Sequence, residues 1–82
     1  MSPEYIFYLY YDSGTLHRHK YISDINRENN DITISMRFND SMIFDTWVDA
    51  WNTRSYILSV GRLRDNISVK KMLLAEYLIK IL

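Results

Sequence analysis

Residues 31–38 read D-I-T-I-S-M-R-F, and no other stretch constrains the fold as much. Ile32, Ile34, Met36 and Phe38 alternate with Thr33, Ser35 and Arg37. A helix would scatter those four apolar side chains around its axis, whereas a strand gathers them on one side. The alternation therefore predicts a sheet with one buried face, and such a face needs an apolar partner laid across it. Ile34 and Met36 are expected to be buried.

The other elements follow from that strand. Tyr5 to Tyr11 (Y-I-F-Y-L-Y-Y) is aromatic and β-prone, with Pro3 just ahead of it, and apolar on both faces, so a central strand is expected. Asp12, Ser13 and Gly14 supply turn chemistry. The return strand, 15–22, carries Leu16, Arg18, Lys20 and Ile22 on one side and His17, His19 and Tyr21 on the other. Neither side looks like a core face, so it reads as a charged edge strand. Residues 23–30 are a polar connection, and Asn39-Asp40-Ser41 turns the chain into a short strand ending at Phe44.

Asp45 is placed to cap a helix that begins at Thr46. Trp47, Val48, Trp51, Ser55 and Leu58 recur at three- and four-residue intervals, and Gly61 suits a C-terminal stop. A competing reading ends the helix at Thr53 and makes Ser55 to Val60 a strand. Ser68 could cap a last helix reaching Leu82, whose apolar residues nearly encircle the axis and leave Glu76 and Lys80 as a polar stripe. The expected architecture is α+β: a small antiparallel sheet of three to four strands (about 4–11, 15–22, 31–38 and 41–44) packed by one or two helices (about 46–60 and 68–82). In the last helix, Leu74, Leu78 and Leu82 are expected to pack on the sheet, and the opposite flank to serve a homodimer or a partner.

With 82 residues, the chain is expected to form a single domain over 1–82. It has no cysteine, which excludes a disulfide framework, a thiolate zinc site and a cysteine nucleophile. Glu4 interrupts any leader-like pattern, and the seven-residue apolar run 5–11 is far shorter than the roughly 20 residues that span a bilayer. A soluble, cytoplasmic protein without membrane contact is expected.

Catalysis finds no purchase in the sequence. There is no nucleophile-elbow serine and no phosphate-binding glycine loop, since Gly14 and Gly61 are the two glycines. His17 and His19 could share a strand face as metal ligands, but beyond a distant Asp12 no further ligand is on offer. No enzyme activity, cofactor or metal is expected.

Net charge is zero, yet its distribution is uneven. Residues 1–53 hold four basic and eight acidic side chains, and residues 54–82 hold six basic and two acidic ones. Asp40, Asp45 and Asp49 fall in a segment with no basic residue, while Arg62, Arg64, Lys70 and Lys71 cluster toward the expected start of the last helix. Such a split can create docking faces for charged partners.

Seven Tyr, two Trp and an oversupply of apolar side chains exceed what so small a core can hide, and Tyr and Trp carry much of the energy of protein interfaces. The leading expectation is a non-enzymatic protein-binding domain, its contacts made by Asp40, Asp45, Asp49, Trp47, Trp51, Tyr8 and Tyr10. The bias toward Ile, Asn and Tyr is usual in AT-rich genomes, including those of phages and plasmids. By that association, the expected role is a phage or mobile-element inhibitor of a host or defence protein, resembling anti-CRISPR proteins in role. The alternative is a small nucleic-acid-binding protein using Arg62, Arg64, Lys70 and Lys71.

Overall fold

A computed structural model describes residues 4–12, 20–61 and 66–82. Strand β1 (Tyr5–Asp12) is followed by β2 (Lys20–Asn26), β3 (Asp31–Ser35), a single 3₁₀ turn at Phe38–Asp40, helix α1 (Trp47–Ser59), strand β4 (Asn66–Leu73) and helix α2 (Leu74–Lys80). The four strands form one antiparallel sheet in the order β3-β2-β1-β4. The α+β class, the antiparallel sheet of four strands and the two helices match the expectation, and β1 is interior as its two apolar faces suggested.

Three elements differ from the sequence reading. Segment 68–82 is not one helix. Its first part is β4, which pairs with β1 along its whole length, from Tyr5 opposite Leu73 to Asp12 opposite Asn66. Helix α2 follows without a loop: Leu73 is still extended (φ −59°, ψ 137°), and the Leu74 N–H donates to the Glu4 carbonyl at 2.9 Å. Ser68 thus lies within a strand and caps nothing. An apolar set that encircles a helical wheel is here a strand and a short helix read as one element.

Segment 41–44, in turn, is not the fourth strand. It contributes one antiparallel bridge, Phe44 to Phe7, with N–H···O distances of 2.9 Å in both directions, while the Met42 N–H donates to Ile22 at 3.0 Å. It fills the space where β1 and β2 diverge beyond the Tyr10–Tyr21 pair. Finally, β2 is interior rather than an edge. Its Ile22 is fully buried. The remainder of the expected strand 15–22, including His17 and His19, lies outside the described residues.

A bulge at Ser23 sets the faces of β2. Ile22 pairs with Ile34 and Ile25 with Ile32, so one extra residue lies between them on β2 alone. Ile22 and Ile25 are an odd number of positions apart and in a regular strand would point to opposite sides. The bulge returns both to the side of Ile32 and Ile34. The β2–β3 turn ends on Asn30 in the left-handed region (φ 61°), a conformation asparagine tolerates.

Side chains on one side of the sheet make the core. Leu9, Ile22, Ile57 and Ile67 are sealed from solvent, with Tyr11 and Ala50 beside them and Phe7, Ile25, Ile32, Ile34, Phe44 and Val69 around the margin. Helix α1 presents Ala50, Thr53 and Ile57 to this layer. Small Ala50 and Thr53 admit a helix close to bulky strand residues, and the Thr53 hydroxyl is satisfied by the Asp49 carbonyl at 2.9 Å. The helix runs through 55–59 and stops at Gly61 (φ 69°), which excludes the strand reading of 55–60. Its N-cap is Thr46, whose Oγ1 accepts from the Asp49 N–H at 3.2 Å, so Asp45 is not the cap.

Met36 departs from its expected burial and is 58% exposed. The strand ends at Ser35, whose Oγ accepts from the Arg37 N–H (3.0 Å) and donates to Asp40 Oδ2 (2.7 Å). That local turn breaks the alternation and carries Phe38 over to the opposite side of the sheet, against Tyr8 and Tyr21. Among the described residues, no helix is long and apolar enough to cross a membrane.

Candidate functional site

Among the described residues, two aromatic surfaces remain once the core is assembled, one on α1 and one on the sheet side that α1 does not cover. On α1, the stripe of Trp47, Val48, Trp51 and Leu58 points away from the sheet: these residues are 48%, 58%, 40% and 39% exposed. Trp47 and Trp51, one turn apart, stack with centroids 5.0 Å apart and planes 17° from parallel. Arg54 extends the stack, its guanidinium 4.6 Å from the Trp51 ring. Its Nε donates to the Ile67 carbonyl at 2.6 Å, which ties the stack to β4. The indoles are therefore fixed before any partner arrives. Asp45 and Asp49, two residues either side of Trp47, are exposed and give this end of the helix an acidic rim.

Further along the same helix, the β2–β3 turn grips Tyr56. The Tyr56 hydroxyl donates to Asn30 Oδ1, and the Arg27 guanidinium lies 4.4 Å from its ring. These contacts anchor the turn to α1.

The second surface lies on the other side of the sheet. Strand parity places Tyr8 and Tyr10 opposite in direction to Leu9, and Tyr21 opposite to Ile22. Tyr8, Tyr10, Tyr21, Phe38 and Tyr77 form a continuous cluster with centroid separations of 5.1–6.1 Å, mostly edge-to-face. Lys70 of β4 places its ammonium 5.7 Å from the Tyr10 ring, and Lys80 of α2 places its own 5.0 Å from Phe38. Tyr8, Tyr10, Tyr21, Lys70 and Lys80 line an open concavity of about 530 Å³.

Burial pushes the Tyr8 hydroxyl above its ordinary pKa, with Tyr21 and then Tyr10 adding to the effect. Tyr21 is raised in the same way, by burial and then by Tyr10. Both are held as neutral phenols able to donate.

The residues expected to bind a partner are thus divided. Asp45, Asp49, Trp47 and Trp51 share one end of α1. Tyr8 and Tyr10 belong to the other surface, and Asp40 sits on the 3₁₀ turn as acceptor of the Ser35 hydroxyl. Of the expected basic cluster, the structure describes Lys70 and Lys71, and these lie on a strand rather than at a helix start. Lys70 and Lys71 are on β4 and project to opposite sides, Lys71 lying 4.8 Å from the Tyr5 ring, while Arg62 and Arg64 lie outside the described residues. Among the described residues, no group of three or more His, Cys, Asp or Glu could hold a metal ion.

Sequence reading missed Arg54 in the first surface and Tyr21, Phe38 and Lys80 in the second. Arg54 carried a usable signal, three residues after Trp51 on a helix. Lys80 carried none, since its contact with Phe38 depends on where α2 begins. The chain matches no known family model, no curated protein and no solved structure.

Proposed function

We propose that this chain is a non-enzymatic protein-binding domain whose contact surface is the outer ridge of α1. The observation that carries the reading is the Trp47–Trp51 stack, exposed yet held in place by Arg54. Large aromatic side chains that lose little freedom on binding are the typical anchors of a protein interface. Val48 and Leu58 extend the apolar strip, and Asp45 and Asp49 edge it with negative charge, so the fitting partner presents an apolar groove bordered by Lys or Arg. The AT-biased composition supports the narrower reading of a cytoplasmic mobile-element inhibitor that occupies a surface of a host or defence protein.

The test is capture from nuclease-treated host lysate by wild type and by Trp47→Ala/Trp51→Ala. Both indoles lie outside the core, so the variant is expected to keep a cooperative melt while losing a stoichiometric protein partner. Asp45→Asn/Asp49→Asn should bind that partner with a slower on-rate and a weaker salt dependence. Equal capture by wild type and the tryptophan variant contradicts the reading.

A further inference from the structure

The concavity on the other side of the sheet has a chemistry the α1 ridge lacks. Its lining combines aromatic walls from Tyr8, Tyr10 and Tyr21 with the ammonium groups of Lys70 and Lys80 and, among the described residues, contains no carboxylate. Each ammonium rests over a ring, and among the described residues neither has a carboxylate partner. A lysine held by a ring still has N–H groups to offer an incoming anion.

A bare anion would use the lysines and leave the rings idle, and a purely apolar ligand would strand two cations. A planar ring with an anion attached satisfies both. From this we propose that the concavity is a nucleotide site, with the base against the tyrosine wall and the phosphate between Lys70 and Lys80. Being open rather than enclosed, it leaves room for the sugar-phosphate backbone to continue, which fits one unit of a single-stranded nucleic acid. Of the acidic residues, Asp45 and Asp49 belong to the α1 end and Asp40 accepts from Ser35, and none of these three lines the concavity. This inference is independent of the protein-binding reading of α1.

The test is fluorescence anisotropy of a labelled oligo-dT single strand at low ionic strength, with thymidine monophosphate and poly-glutamate as competitors. Wild type is expected to bind, log K falling with log salt at a slope of about −0.7, the value per phosphate on single strands, for the one phosphate held between Lys70 and Lys80. Lys70→Ala/Lys80→Ala, both exposed positions, should keep the fold, weaken binding by about tenfold or more and flatten the slope. Tyr10→Ala should weaken binding by about tenfold and leave the slope unchanged.

Competition by the mononucleotide at the same concentration as unlabelled strand assigns a free nucleotide as the ligand; competition by the strand alone assigns single-stranded nucleic acid. Either result supports the site. Absence of binding, unchanged affinity in the folded lysine variant, or equal displacement by poly-glutamate overturns it.

Discussion

The two sides of the sheet come from the same strands, yet they are built differently. The side beneath α1 is closed and aliphatic at its centre, with Leu9, Ile22, Ile57 and Ile67 at 2% exposure or less and Tyr11 buried beside them. The side beside α2 is aromatic and more open: Ile6 is buried there at 5% exposure, but Tyr8, Tyr10, Tyr21 and Phe38 are each half-buried, and two lysines stand among them. Branched aliphatic side chains fill volume without leaving polar atoms to satisfy, so they suit the layer that holds the fold. Tyrosines bury a ring while keeping a hydroxyl in water, so they suit a layer that is finished by something else. In a chain of 82 residues, one side is sealed beneath α1, and the other is the more exposed one, on which the nucleotide site is proposed.

The largest effect should come from placing a charge in the closed side. Ile22→Asp puts an unpaired carboxylate where exposure is zero, at several kcal/mol, against a total stability of about 4–12 kcal/mol at roughly 0.05–0.15 kcal/mol per residue. The variant should show no cooperative thermal transition by circular dichroism. A melt within a few degrees of wild type would mean that the α1 side does not hold the fold.

A smaller effect belongs to the open side and appears only in alkali. Folded Tyr8 and Tyr21 have raised pKa values, chiefly through burial, so the unfolded chain loses these protons at lower pH than the folded one. Stability is unaffected by these groups below the ordinary tyrosine pKa of about 10 and falls as pH rises from there through the folded values. Urea midpoints measured across that window should decline less for Tyr8→Phe/Tyr21→Phe than for wild type. Parallel declines would show that the two hydroxyls are as solvated as those of the unfolded chain.

What the sequence revealed and what it hid have the same physical origin. Aromatic, β-prone composition marked β1, and local periodicity marked the 31–35 strand and α1, the helix having its own stop at Gly61. It could not mark the Ser23 bulge, whose consequence lies in the pairing with the next strand, Ile22 opposite Ile34 and Ile25 opposite Ile32. Nor could it divide 66–82. Val69, Met72 and Leu73 have helical spacing, and long-range pairing with β1 decides in favour of the strand.

The α1 stripe shows a second limit. Trp47, Val48, Trp51 and Leu58 gave the right period, but the helix turns Ala50, Thr53 and Ile57 inward, small Ala50 and Thr53 allowing the close approach and Ile57 filling the core. Half of the open side was legible, since Tyr8 and Tyr10 stand out in the first strand. The rest depended on Phe38 crossing the sheet at the Ser35 turn.

Leu9 and Tyr10 are neighbours on the same strand and face the two sides, so equilibrium urea unfolding of Leu9→Ala and Tyr10→Ala compares those sides with everything else held constant. Leu9→Ala should lose about 2–5 kcal/mol, enough to remove much of the folded population. Tyr10→Ala, which gives up a half-buried ring and its edge-to-face contact with Tyr21, should lose about 1 kcal/mol. A loss for Tyr10→Ala equal to or greater than that for Leu9→Ala would contradict the division of the sheet into a side that folds the protein and a side left open for binding.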